Sequence, residues 1–326
     1  MYLMKKLRNN FDGWFILIFS IILFILPFLI ILLQRIFIIW LIMLTLFYII
    51  LALTWNLLLG YARLLSFAHT GLLGIGAYSS ALLVSNNNLP PLIGLIIGSL
   101  IAGIAGLILG YICLRLKGIY LALATWGFSG SVQLFVITQY NITGGLKGMF
   151  TAFLLPVSPF ENPYYYYYIE VLLVLLCLLV MYKIIHSKYG LYLKAMGDDE
   201  IAASACGVNV FRLKLFLFVI TSFFVGLAGA FYVHLFGYVS PSIADFFTIM
   251  LTVISGTILG GLGTFAGPVL GVIIIWPIYQ VIGFYGAEYQ LFILAILLII
   301  LLRFFKGGFI GIVYSMYRKY TNKYKQ

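Results

Sequence analysis

Residues 36–59 read IFIIWLIMLTLFYIILALTWNLLL, a run without a single charged side chain. A membrane-spanning helix needs roughly 20 consecutive apolar residues. A strand of a membrane β-barrel would instead alternate apolar and polar side chains, and this run does not alternate. The run therefore predicts a transmembrane α-helix and argues against a barrel.

The composition of the whole chain extends this prediction to all 326 residues. Of these, 64% are hydrophobic and only 8% are charged, with a mean hydropathy of +1.16. Soluble domains carry about 25% charged residues, so a soluble globular fold is excluded because so few charges cannot cover a surface that faces water. We predict an all-α, polytopic transmembrane bundle of about ten spans. Residues 1–326 form one transmembrane domain.

Ten apolar segments are candidate membrane-spanning helices. They cover residues 14–33, 36–59, 64–84, 91–114, 118–140, 164–186, 215–236, 246–262, 265–285 and 289–305. The segments at 64–84 and 246–262 contain several glycines, so each is either a full crossing or a broken, re-entrant segment. The first segment lacks a small-residue cleavage site, which predicts a retained signal anchor.

The chain has a net charge of +11. Its basic residues are placed as in a membrane topology signal and not as in a nucleic-acid-binding patch. Of the 19 basic residues, 17 fall on one side of the ten segments, and only Arg35 and Lys147 fall on the other. Cytoplasmic loops carry the excess of Lys and Arg in membrane proteins. Both termini are therefore predicted to be cytoplasmic, in a multi-pass protein of the plasma membrane.

Small residues mark two predicted helix interfaces. The first set recurs every four residues and comprises Gly94, Gly98, Ala102, Gly106 and Gly110. The second set comprises Gly256, Gly260, Gly263, Gly267 and Gly271. Small side chains let two helix backbones approach closely in a membrane. Each set predicts a tight helix interface, either static or moving.

No constellation of catalytic residues is visible in the sequence. The motifs HExxH, GxSxG and GxxxxGK[ST] are all absent, so the chain has no P-loop of its own for ATP. Its three cysteines, Cys113, Cys177 and Cys206, are too far apart for a metal-ligand cluster. We predict no catalytic residue, no metal site and no cofactor.

Few residues are candidates for a substrate pathway. His69 lies within or near an apolar span, where an ionisable side chain is either functional or satisfied by a neighbouring carbonyl. Thr143, Gly144 and Gly145 form a polar break beside a span, either at the pathway or in an external turn. No acidic residue lies at the middle of a predicted span, and Glu170 comes closest. The absence of acidic residues at the middle of the predicted spans argues against a carrier driven by protons or sodium.

The only long polar stretch, residues 187–214, has the composition of a loop with a short helix. Asp198 is a good N-cap, and Asp199 and Glu200 suit the positive start of a helix. The small residues that follow are Ala202, Ala203, Ala205 and Gly207, the last placed as a C-terminal cap. A helix of about two turns is too short to be stable alone. We expect it to be held by docking against another protein, although a plain surface connector is the alternative.

This stretch resembles the coupling segment of ABC importer permeases. Ser187–Gly190, Asp199–Ala203 and Cys206–Asn209 are similar to the EAA motif as it occurs in the branched-chain amino acid permease family of the LivM type. Further similar motifs are Gly60-Tyr61, Ser66, His69, Gly74–Tyr78, Leu114–Tyr120, Thr143–Gly145, Gly148, Phe223–Ala230, Gly237–Pro241 and Gly260–Gly263. Two positions depart from the family pattern. Arg63 stands where the family usually has a small residue, and Gly197 replaces a more usual charged residue.

The resemblance implies a permease subunit of an ABC importer for leucine, isoleucine or valine. It also implies a second permease subunit of the LivH type, two cytosolic ATP-binding subunits and an external substrate-binding protein as partners. By the same resemblance, Asp199, Glu200, Ala202, Ala203 and Gly207 would couple the permease to the ATPases. The alternatives are a permease for urea or short amides, a proton-coupled carrier, and a structural membrane scaffold, which would not need the short cytoplasmic helix.

Overall fold

The computed structural model describes residues 2–33, 36–304 and 308–311. The helices are α1 (Tyr2–Leu33), α2 (Ile36–Asn56), α3 (His69–Asn87), α4 (Pro91–Cys113), α5 (Ile119–Thr138), α6 (Tyr140–Thr143), α7 (Pro163–His186), α8 (Lys188–Asp198), α9 (Glu200–Ala205), α10 (Val210–Phe236), α11 (Phe246–Gly260), α12 (Gly267–Tyr285) and α13 (Ala287–Phe304). Strands β1 (Met149–Phe150) and β2 (Tyr238–Val239) pair antiparallel, with Met149 opposite Val239. The basic residues from 312 onward lie outside the described part of the chain.

Five helical stretches within the described residues are long and apolar enough to cross a membrane. They are Phe37–Tyr61, Pro91–Cys113, Ile119–Thr138, Pro163–His186 and Val210–Phe236. Each of the ten predicted segments overlaps a helix, which confirms the all-α assignment. Ten crossings and the orientation of the termini stay predictions.

The predicted segment 64–84 is wrong at its beginning. The helix α3 begins only at His69, and residues 62–68 are not helical. A π-helical turn, Leu57–Tyr61, extends α2 just before this break. Hydropathy could not show the break, because the residues that form it are mostly apolar. Helix α3 itself is continuous over His69–Asn87, and whether it crosses the membrane fully stays open between the two predicted alternatives.

Helix α10 forms the centre of the bundle, where it packs along α3 and α4. The first set of small residues lies on tight helix interfaces, as predicted: Gly94 and Gly98 face α3, and Ala102, Gly106 and Gly110 face α10. A Cβ atom added at Gly106 would lie 2.0 Å from Ser222 Oγ, and one added at Gly226 would lie 2.2 Å from Ala102 Cβ. The two helix backbones could not approach this closely with larger side chains.

The second set of small residues joins α11 to α12, which also confirms its prediction. A Cβ atom at Gly260 would lie 1.7 Å from the carbonyl oxygen of Gly267, and one at Gly271 would lie 1.8 Å from that of Gly256.

The face of α4 opposite its small residues is exposed and aliphatic, with Ile96, Leu100, Ile104 and Ile108 along it. Such a face suits contact with lipid.

Candidate functional site

The predicted coupling segment, residues 187–214, contains two helices where the sequence predicted one. Ser187 caps the first helix, α8, because its side chain accepts a hydrogen bond from the backbone N–H of Tyr189. Helix α8 buries Gly190, Leu193 and Met196 against the rest of the chain. The polar stretch is therefore anchored to the bundle along most of its length.

The N-cap of the short helix α9 is Asp199, and the prediction of Asp198 was wrong by one residue. Asp199 Oδ1 accepts hydrogen bonds from the backbone N–H groups of Ile201 at 2.8 Å and Ala202 at 3.0 Å. Asp198 is instead the last residue of α8. Asp is a favourable N-cap residue at either position. Because Asp198 belongs to α8, a helix that the sequence did not reveal, Asp199 is the residue that caps α9.

Gly207 ends α9 as predicted. Its φ angle is +86°, which favours glycine because a Cβ atom would be strained there. Its N–H donates to the carbonyl of Ser204 at 3.0 Å, and the N–H of Val208 donates to that of Ala203 at 3.1 Å. These bonds satisfy carbonyl groups in the last turn of the helix, which have no N–H donors from a following turn.

Helix α9 is held by its own chain, which corrects the expectation that only a partner protein could stabilise it. The carboxylate of Glu200 lies 2.5 Å from the ammonium of Lys214 on α10. Ala203 is only 3% exposed, so its methyl group packs inside the chain. Ala202 and Ile201 face outward, and Ile201 is 77% exposed. Of the predicted coupling residues, Ala203 therefore lies on the inner side of α9 and Ala202 on the outer side.

Residues 62–68, here called the interior break, connect α2 to α3 and lie largely inside the bundle, with Arg63 exposed at its surface. Ser66 and Ala68 are almost completely buried. Backbone groups in the apolar interior of a membrane protein need partners, and a non-helical segment cannot supply them internally. The break therefore depends on side chains of neighbouring helices.

Three side chains supply those partners. Thr125 Oγ1 accepts a hydrogen bond from the N–H of Phe67 at 2.9 Å. Ser129 Oγ accepts from the N–H of Gly71 at 3.1 Å and donates to the carbonyl of Phe67 at 2.8 Å. Trp55 Nε1 donates to the carbonyl of Ser66 at 3.0 Å. The sequence did not distinguish these residues, because a single polar residue in an apolar helix has no pattern that indicates its hydrogen-bond partner.

His69 is the first residue of α3 and is 2% exposed. Its Nε2 lies 3.2 Å from Thr54 Oγ1, and that hydroxyl also lies 2.9 Å from the carbonyl of Ile50. Because the hydroxyl has one proton to donate, this arrangement suits an Nε2–H donor on His69. Its Nδ1 and the neighbouring Thr70 Oγ1 have no partner among the described residues. The place of His69 on a substrate pathway stays a prediction.

A second break, residues 237–245, connects α10 to α11, and its 3₁₀ turn Pro241–Ala244 packs against α3 and α5. A Cβ atom at Gly74 would lie 3.1 Å from Ala244 Cβ, and the ring of Phe246 packs against that of Phe67 at 5.4 Å. Asp245 caps α11, with Oδ2 accepting from the N–H of Thr248 at 2.8 Å. The beginnings of α3 and α11 thus lie close together.

Asp12 and Glu170 are the buried acids among the described residues, and Asp245 is partly exposed. Glu170 is 1% exposed on α7, and its Oε2 has no partner among the described residues. Asp245 lies in the second break, between two predicted spans. The argument from missing acids at the middle of the spans stays a prediction.

Thr143, Gly144 and Gly145 form a turn after α5 and lie apart from His69. Thr143 Oγ1 donates to the carbonyl of Val136 at 2.6 Å, which fixes the turn to the helix. Gly144 and Gly145 have φ angles of +75° and +58°, which a turn of this kind requires. Thr125 lies beside the interior break, and Thr138 lies beside the turn. The stretch of α5 between them separates the turn from the interior break by about 20 Å. This geometry favours the interpretation of these three residues as a turn over their interpretation as part of the substrate pathway.

The described residues contain no group of three or more His, Cys, Asp or Glu side chains that could hold a metal ion. What the described residues do contain is a bundle of apolar helices in which the interior break and the second break both pack against α5. Broken helices at the centre of a bundle are typical of membrane transporters. The fold thus indicates a transport protein.

The comparison with known proteins identifies the family. The pattern described as "Branched-chain amino acid transport system / permease component" matches residues 36–302. The chain therefore belongs to this family of ABC transporter permeases and is of the LivM type. No solved structure matches the chain.

Several curated proteins are similar to this chain. It is 31% identical, over 71% of its length, to the high-affinity branched-chain amino acid transport system permease protein LivM of Escherichia coli (strain K12). The same alignment covers 60% of that protein, so the chain spans only part of its relative's length. A shorter match, 33% identical over 31% of this chain and 29% of the relative, is to the fructose import permease protein FrcC of Rhizobium meliloti.

Proposed function

We propose that this chain is a permease subunit of an ABC importer that moves leucine, isoleucine or valine into the cell. ATP hydrolysis in two cytosolic partner subunits drives the transport, and an external binding protein delivers the substrate. A second permease subunit of the LivH type completes the pathway. The observation that carries this proposal is the similarity to LivM, together with the family pattern over residues 36–302.

The geometry of α9 supports coupling to a partner ATPase. The helix has an outer side formed by Ile201 and Ala202, and Ile201 is 77% exposed. An exposed isoleucine on a polar segment is a candidate contact, because burying its side chain against a partner contributes about 2 kcal/mol. Asp199 and Gly207 fix the two ends of the helix, so its outer side has a defined orientation.

The substrate class is tested by transport in proteoliposomes that contain the chain with its partner permease, the ATPases and ATP, together with the external binding protein. Radiolabelled leucine uptake is measured against an excess of unlabelled isoleucine, valine, urea, acetamide or fructose. We expect isoleucine and valine to compete and the other compounds not to compete. Uptake of radiolabelled urea or acetamide without leucine uptake would assign the chain to the amide class, and uptake of radiolabelled fructose without leucine uptake would assign it to the sugar class.

A further inference from the structure

The ion pair between Glu200 and Lys214 has features that its place at a cytoplasmic surface does not explain. The side chain of Lys214 is only 6% exposed and that of Glu200 is 35% exposed, with 2.5 Å between Nζ and Oε1. A lysine ammonium withdrawn from water is costly unless it is paired. Glu200 Oε1 is the partner that the structure gives to Lys214.

A second ion pair, which joins the interior break to the last residue of α8, shows the contrast. Arg63 and Asp198 are separated by 3.7 Å, and their side chains are 70% and 77% exposed. Exposed pairs of this kind contribute little, because water already solvates both charges. The two pairs therefore differ in burial, although they lie on the same side of the molecule.

The elements that the buried pair joins are also distinctive. Glu200 is the first residue of α9, and Lys214 lies in the second turn of α10. At the far end of α10, His234 lies 2.8 Å from both Ser80 Oγ and the carbonyl oxygen of Ala152. The 20 residues between Lys214 and His234 extend about 30 Å as a helix. Helix α10 thus connects α9 to residues at its opposite end.

The geometry points to Lys214 as a positioning residue that holds α9 against α10, so that a force on α9 moves α10. This inference rests on the proposed function, in which a partner ATPase contacts α9. Without the pair, α9 keeps its caps but loses its charged link to α10. A six-residue helix cannot hold its own position through backbone hydrogen bonds alone.

The first test needs only the purified chain and measures where α9 lies. The cysteines Cys113, Cys177 and Cys206 are replaced by alanine, and the Ala203→Cys variant then reports burial through its rate of maleimide labelling. We expect Lys214→Met and Glu200→Gln to raise this rate about tenfold, which is the loss of about 1.4 kcal/mol of local stability. The exchanged pair, Glu200→Lys with Lys214→Glu, should restore slow labelling. Arg63→Met, which breaks the exposed pair, should leave the rate unchanged.

The second test measures leucine imported per ATP hydrolysed by the reconstituted complex. We expect Lys214→Met to lower this ratio about tenfold while ATP hydrolysis and subunit co-purification stay within about twofold of the original protein, with recovery in the exchanged pair. Unchanged maleimide labelling would overturn the positioning role. Faster labelling with an unchanged import ratio would overturn its part in coupling. A complex without ATP-driven uptake before any substitution would refute the proposed function, and the coupling role with it.

Discussion

The coupling segment and the interior break are both departures from a membrane-spanning helix, but they differ in how their backbone is satisfied. The coupling segment, residues 187–214, forms its own short helices and caps them with its own side chains, Ser187 and Asp199. The interior break, residues 62–68, takes hydrogen bonds from Thr125, Ser129 and Trp55 on other helices.

This difference follows from the solvent around each region. A segment in contact with water can leave some backbone groups to water, so local sequence decides its structure. A segment inside a membrane bundle has no such alternative, and its structure depends on contacts that are distant in sequence. We therefore expect substitutions at the interior break to affect the whole protein, and those in the coupling segment to act locally.

The largest effect is expected from removing the hydroxyl groups that support the interior break. Ser129→Ala leaves the N–H of Gly71 and the carbonyl of Phe67 without their partner, and Thr125→Val removes the acceptor of the Phe67 N–H. Each unpaired buried group costs about 1–3 kcal/mol. The double variant should therefore lose several °C in thermal unfolding temperature and much of its purified yield in detergent.

The matched control uses two exposed hydroxyl groups on the same helix. Ser131 and Thr138 bond only to carbonyls of α5 itself. Ser131→Ala with Thr138→Val should change the unfolding temperature very little. Equal losses in the two double variants would show that the interior break does not depend on Thr125 and Ser129.

A smaller and local effect is expected at the cap of α9. Asp199→Ala removes the acceptor of two backbone N–H groups, which typically costs about 1 kcal/mol of helix stability. Asp198→Ala removes only an exposed ion pair, worth close to zero. Maleimide labelling of the Ala203→Cys variant should become several times faster with Asp199→Ala and should not respond to Asp198→Ala. The reverse order would restore Asp198 as the cap.

The smallest effect is expected at Arg63, where both departures from the family pattern meet. Arg63 has a φ angle of +53°, and its Cγ would lie 3.2 Å from a Cβ atom added at Gly197. The missing side chain at Gly197 therefore leaves room for that of Arg63. Arg63→Gly relieves about 1–2 kcal/mol of backbone strain, but the extra chain entropy that glycine loses on folding, about 0.5–1 kcal/mol, and the loss of an exposed pair offset most of this gain.

Arg63→Gly should thus raise the unfolding temperature slightly, whereas Arg63→Ala keeps the strain and should not raise it. If Arg63→Ala stabilises the protein as much as Arg63→Gly, the positive φ angle is not the cause.

The same comparison explains how much of the structure the sequence could predict. The apolar runs predicted the helices, and the spacing of Gly94, Gly98 and Gly106 predicted a tight interface on α4, because both depend on local pattern. Gly207 was also predicted, since a helix end has a local signature. These features need no knowledge of distant contacts.

The missed features all depend on contacts between distant residues. Lys214 looked like one more basic residue of a cytoplasmic loop, yet its burial and its pairing with Glu200 arise from the position of α9 on α10. Ala203 was predicted to face a partner, but the orientation of α9 turns it inward.

The source of energy is the central claim, and the buried acid Glu170 makes its direct measurement necessary. Leucine accumulation is measured in proteoliposomes that contain either the chain alone or the complex with its partner permease and ATPases. Each preparation is tested with a pH gradient, with a sodium gradient, and with ATP plus the external binding protein. We predict accumulation only by the complex, and only with ATP and the binding protein. Accumulation by the chain alone under either ion gradient would contradict this account and identify a secondary carrier.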